Sequence, residues 1–245
     1  MEEAAALGNY LPFSFKTRSE QEYVAFLWAT FEINYTHGKY QFAFLAYHML
    51  MMSFIYFNIW QIRLAQPDDF AKALIGFDKE VEKILLDATS PFAFCFDRLK
   101  ERSILRLLKL IACDNGKIGT YAKLVDDRND TAHPNGNIFF STQAALDTKV
   151  TEIMRVVSEI QDHSKPVIER CYREFLLRSH DPDEREYPDA ADQTREVLIH
   201  NNYMSQKDIK ICVDFDMNSL AAHEHYNSMR ELHAVVAAEY SDESA

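Results

Sequence analysis

Between Gln41 and Ile62 the chain carries no Asp, Glu, Lys or Arg. The run is aromatic, aliphatic and Met-rich, and long enough to cross a bilayer. It must therefore either span a membrane or be enclosed by protein on nearly every side. Gln41, His48, Asn58 and Gln61 interrupt it, and no second comparable segment exists. These features favour the centre of a helical bundle or an extensive oligomer interface. A chain of 245 residues has enough material to surround such a helix.

The flanking pattern is helical too. Only 6 Gly and 7 Pro leave little material for a turn-rich β fold. Ser19 with Glu22 predicts a capping box, opening a helix that carries Tyr23, Phe26, Leu27 and Phe31 and ends near His37-Gly38. Pro67-Asp68-Asp69 starts another, its apolar positions from Phe70 to Leu85 recurring at threes and fours. Ser90-Pro91 predicts a helix to about Cys113, with Arg98, Arg102, Arg106 and Lys109 on one face. Asp114-Asn115-Gly116 reads as a turn before a helix from about Thr120. Ser141 or Thr142 caps a long helix to about His163, and Pro166 is expected to kink or restart it. Residues 181–188 have the composition of a linker, followed by helical runs over 189–202, 206–214 and 217–240. The expected class is all-α: a loosely attached leader over 1–17, a bundle of long helices over 18–178, and helices over 179–245.

The net charge of −12 is unevenly placed. Residues 179–245 hold 15 acidic and 5 basic side chains, leaving 23 and 21 in the first 178. The acidic tail repels anionic partners, so any polyanion is met by the nearly neutral part. Within the tail, the last helix of a faint helix-turn-helix order carries Glu224, Glu231 and Glu239 against Arg230, which argues against DNA. Cys95, Cys113, Cys171 and Cys212 form no Cys-x-x-Cys pair and read as free thiols in a reducing cytosol. MEEAAALGNY is acidic and lacks the basic n-region of a secretory signal, so a cytoplasmic location is expected. His223 and His225, two apart on a helix, diverge, and with His200 and His233 read as surface residues; no metal site is expected.

The chemistry is concentrated in Asp127-Arg128-Asn129-Asp130-Thr131-Ala132-His133-Pro134-Asn135-Gly136. A helix turns about 100° per residue, so Asn129 and His133 share a face with Arg128 beside them. Pro134 disfavours α conformation at His133 and leaves the imidazole at a helix end. Asp126, Asp127 and Asp130 are candidates to hold the guanidinium or to favour a charged imidazole. An Arg fork pairs with two phosphate oxygens and stabilises the charge of a pentacovalent transition state. A His near neutrality takes a proton from a ribose 2′-hydroxyl or returns one to the leaving 5′-oxygen, giving a 2′,3′-cyclic phosphate. Full acid–base catalysis needs two proton-transfer groups, and a symmetric dimer supplies the second. The Arg98, Arg102, Arg106 and Lys109 row is the best candidate for holding a phosphate backbone.

Arg128-Asn129-Asp130-Thr131-Ala132-His133 resembles the Arg-x4–6-His signature, in its Arg-Asn form, of the HEPN superfamily. These are α-helical domains of bacterial toxins, abortive-infection systems and other anti-viral proteins. The resemblance covers about residues 18–178. It implies a bundle of four or five helices, homodimerisation, and a composite, metal-independent and cofactor-free endoribonuclease site. Arg128 and His133 take the catalytic positions and Asn129 the polar second position. RNA is the implied substrate, with room for an antitoxin or regulatory protein as a further partner. One toxin subgroup carries a Tyr two residues after the His as the target of its antitoxin; here Asn135 stands there, which argues against that mode of control. Some members of the superfamily are inactive, so a non-catalytic dimeric module binding RNA, a nucleotide or a protein is the alternative expectation.

Overall fold

A computed structural model describes residues 1–95, 99–133 and 136–241. Among these residues the chain is all-α, without a β-strand. It divides into two compact units, residues 1–8 with 17–163 and residues 9–16 with 164–245.

The first unit begins with a short helix, α1 (Glu2–Ala5), and the start of a 3-10 turn (Ala6–Tyr10) whose last two residues count with the second unit. This segment is not a loose leader. Ala4 and Leu7 are buried, and the Tyr47 hydroxyl donates to the Ala4 carbonyl at 3.1 Å. The chain anchors itself here because an apolar Ala-Leu run offers the burial that a polar leader lacks.

Helix α2 (Arg18–Thr36) is opened by a capping box between Thr17 and Glu20, two residues earlier than the Ser19 and Glu22 expected. Glu20 is selected because it does more than cap. Its second oxygen accepts the Ser90 hydroxyl at 2.6 Å, so the buried carboxylate is satisfied at both ends. Gly38, at φ +67°, makes the left-handed turn into α3 (Tyr40–Ala65). The two helices form a hairpin: Tyr35 meets Tyr40 near the turn, and Phe31 and Trp28 meet Tyr47 further along.

Helix α3 is the apolar run, and 83% of its most apolar window is buried inside the protein. The enclosed-helix reading therefore holds. Gln41 and Arg63 at its two ends make internal bonds. Gln41 donates to the Thr131 carbonyl and accepts from the Phe139 amide, each at 3.1 Å. At the far end Arg63 lies over the Trp60 ring and donates to the Leu86 and Ala88 carbonyls, closing the end of another helix.

The single amphipathic helix expected after Pro67 is two, α4 (Pro67–Ala73) and α5 (Lys79–Leu86), separated where Gly76 adopts φ +99°. The helix expected from Ser90 to Cys113 is also broken. It consists of a 3-10 turn over Pro91–Cys95, α6 (Glu101–Leu105) and a 3-10 segment over Arg106–Ile111, closed by Ala112 in the left-handed region. Helix α7 (Asn115–Ala132) begins directly after Asp114, whose carboxylate accepts the Lys117 amide at 2.9 Å. The Asp-Asn-Gly triplet is thus a helix start, not a turn ahead of one.

Helix α8 (Gln143–Ser179) continues through Pro166, so the chain does not restart there. Its early turns bury Leu146, Val150, Ile153, Val157 and Ile160 in the first unit, and its later turns bury Ile168, Tyr172 and Leu176 in the second. The units divide next to Pro166, not at the expected 178/179 boundary.

In the second unit, 181–188 is pinned rather than free: Arg185 donates to the Ser179 carbonyl at 2.6 Å, satisfying the end of α8. Helix α9 (Ala190–Gln193) leads into a π turn over Thr194–His200; α10 (Gln206–Val213) and α11 (Tyr226–Tyr240) complete the unit. Ser205 and Asp208 form the expected capping box of α10, here buried.

Candidate functional site

Helix α7 presents the motif because its opposite face is committed to the core: Ile118, Tyr121, Leu124 and Val125 are buried. Arg128 and Asn129 are left half-buried on the rim, and Asp130 is exposed. The helix ends where Pro134 requires. His133 is the C-cap, with φ −78° and ψ 141°, in the extended conformation expected of a residue before proline. Its amide donates to the Asn129 carbonyl at 3.0 Å and its side chain is exposed.

The acids beside Arg128 in sequence are engaged elsewhere. Asp126 pairs with Arg102, and Asp127 binds the Lys149 ammonium at 2.8 Å, which also holds Glu152. Arg128 pairs instead with Glu101 of α6, at 2.5 Å. The other Glu101 oxygen lies 3.2 Å from Nε2 of His48, a fully buried residue of α3. A carboxylate oxygen only accepts, so Nε2 carries the proton. His48, Glu101 and Arg128 thus form a chain from the centre of the apolar helix to the motif. Burial alone would push the Glu101 carboxyl up. The hydrogen bond and charge of His48, then those of Arg128, outweigh it and hold the group below its ordinary value. Glu101 is therefore an ionised anchor at neutral pH.

Beside this chain lies a pocket of about 340 Å³. It is lined by Arg128, Glu101 and Lys100 together with Tyr23 from α2, Met49, Met52 and Tyr56 from α3, and Cys95 and Leu99. Burial raises both tyrosine hydroxyls, with Glu101 adding to the effect, so they stay protonated. Arg128 and Glu101 have side-chain exposures of 30% and 19%, enough to reach a ligand while losing much of their water. His133 is not among the residues lining this pocket. The structure thus brings Arg128 to Glu101, His48 and the pocket, and leaves His133 at the helix end outside it.

The structure describes three residues of the basic row. Arg98 lies outside the described residues, and Arg102 is tied to Asp126. Arg106 and Lys109 are exposed on the 3-10 segment and line a different pocket, with Gly76 and Phe77. The α periodicity that aligned the four in sequence stops at Leu105.

Sequence reasoning missed Glu101 and His48. Nothing in the pattern of the Ser90–Cys113 stretch singles out Glu101, and His48 stands in the sequence only as a polar interruption of the apolar run. The usable signal was a titratable residue inside an uncharged helix, which demands a buried partner. The tail histidines are likewise not isolated: His225 stacks on His180 with ring centroids 4.4 Å apart, and His223 is 5.7 Å from His225.

Compared with family models, curated proteins and solved structures, the chain matches none of them.

Proposed function

We propose that this chain is a metal-independent endoribonuclease of HEPN type that acts as a homodimer, as a cytoplasmic toxin or anti-phage effector. One observation carries the reading. Arg128 is held half-buried at the edge of a ligand-sized pocket by an ionised Glu101, and the same helix ends five residues later in an exposed His133.

In this mechanism the Arg128 fork, one amine already fixed by Glu101, turns its remaining N–H donors to the scissile phosphate. His133 takes the proton of the ribose 2′-hydroxyl as the 2′-oxygen attacks phosphorus. The bond from phosphorus to the 5′-oxygen breaks, leaving a 2′,3′-cyclic phosphate and a 5′-hydroxyl. A second copy of the chain protonates the leaving oxygen, and Asn129 orients substrate or imidazole. The test is cleavage of RNA with EDTA present, scored for cyclic-phosphate ends, in the wild type and in Arg128→Ala and His133→Ala.

A second reading is a non-catalytic dimeric module that binds RNA, a nucleotide or a protein. Glu101 partly neutralises Arg128, and His133 does not line the pocket. RNA binding without cyclic-phosphate products favours this reading over the first.

A further inference from the structure

The pocket beside Arg128 is built for more than a phosphate. Its volume of about 340 Å³ lies at the lower end of small-ligand clefts. Two of its lining residues are tyrosines, and both touch the Phe92 ring. Phe92 packs edge-on against Tyr23, with centroids 5.1 Å apart, and against Tyr56 at 6.4 Å. Met49 and Met52 add soft apolar surface that adapts to a flat ring. Two cations, Lys100 and Arg128, share the rim with one carboxylate, Glu101.

This lining discriminates among ligand classes. A fatty or simple aromatic acid would meet Glu101 as repulsion, with nothing to offer it. A nucleotide supplies a flat base for the tyrosines and methionines, N–H donors for an acceptor-only carboxylate, and a phosphate for the two cations. Each Glu101 oxygen keeps a lone pair beyond its bond to Arg128 or His48.

We propose that this pocket takes one unstacked nucleotide, its base against Tyr23 and Tyr56 and its phosphate at Lys100 and Arg128. That the nucleotide belongs to an RNA strand rests on the ribonuclease reading; the pocket itself does not. Tyr23 is 40% exposed, so its substitution tests the pocket without emptying the core.

The experiment uses the full-length chain carrying His133→Ala, so that binding is read without turnover. Calorimetric titrations use AMP, GMP, CMP and UMP, then ribose 5-phosphate and inorganic phosphate, then a short single-stranded oligoribonucleotide. Mononucleotides are expected to bind about tenfold or more tightly than ribose 5-phosphate, because base stacking is absent from the sugar phosphate. Adding Tyr23→Ala is expected to weaken nucleotide and oligonucleotide binding by about tenfold, Tyr23→Phe to restore it, and Lys100→Ala to weaken phosphate-bearing ligands alike. Equal binding of AMP and ribose 5-phosphate, or unchanged binding in both Tyr23→Ala and Lys100→Ala, overturns the proposal. Cleavage by the wild type alongside that result sinks the pocket alone. Tyr23-dependent nucleotide binding in a chain that never cleaves RNA sinks the ribonuclease reading alone. Tyr23-dependent binding of mononucleotides but not of the oligonucleotide makes the occupant a free nucleotide and contradicts the RNA assignment.

Discussion

Glu101 sets a carboxylate oxygen 2.5 Å from an amine nitrogen of Arg128, joining α6 to α7 at the motif. Removing its charge while keeping its shape tests what the contact does. Glu101→Gln is expected to destabilise the fold by about 1–3 kcal/mol, since it leaves a half-buried guanidinium without its anion. RNA cleavage is expected to fall about tenfold or more through loss of Arg128 orientation.

The same contact predicts a pH dependence. The folded Glu101 carboxyl is held below its unfolded value, so the unfolded chain binds its proton first as pH falls. The stabilisation is fully present above the ordinary carboxylate value, about pH 4.3, and is lost as pH drops through the folded value. Thermal unfolding of wild type and Glu101→Gln should therefore differ at pH 7 and converge in acid. Curves that stay parallel down to pH 3 would show that Glu101 is not the titrating anchor.

The exposed cations differ in what they are free to do. Arg102 is occupied by Asp126, whereas Arg106 and Lys109 are exposed on the 3-10 segment. Replacing Arg106 and Lys109 by Ala should weaken RNA binding and reduce the slope of log K against log salt by about one unit or more. Arg102→Ala should change that slope less. A larger effect from Arg102 would reverse the assignment.

The N-terminal segment is expected to behave as core. Leu7 is fully buried, so Leu7→Ala should cost about 2–4 kcal/mol in chemical denaturation. A change within a few tenths of a kcal/mol would restore the loose leader.

In the second unit, burial pushes the His180 and His233 rings below the ordinary imidazole value; for His180 the neighbouring His225 adds to this and Asp181 opposes it. Nδ1 of His233 lies 2.7 Å from the Tyr172 hydroxyl, within the half-buried surroundings that disfavour a charged ring. The unfolded chain takes up these protons first, so stability falls as pH drops below about 6.5. Replacing both histidines by Gln should flatten that decline, followed by circular dichroism.

What was legible in the sequence follows from locality. The helix end at His133 was readable because Pro134 acts on its immediate neighbour, and the enclosed α3 because charge is absent from one continuous run. The partner of Arg128 was not, because Asp126 and Asp127 stand beside it in sequence while Glu101 reaches it only through the packing of α6 on α7. The break at Gly76 was hidden for a related reason. Apolar spacing continued across it, and only the left-handed backbone there reveals that the helix stops. Pro166 is the converse case: a proline that α8 carries within it instead of restarting after it.

The central claim is that Arg128 and His133 form a cleaving site. The most direct measurement incubates wild type and His133→Ala with RNA in EDTA and counts 2′,3′-cyclic phosphate ends, with sedimentation confirming that both chains are dimers. The account predicts cyclic-phosphate products from the wild type and a loss of at least about a hundredfold in His133→Ala, with the dimer intact. Cleavage that persists undiminished in His133→Ala, or a dimeric wild type that yields no cyclic ends, contradicts it.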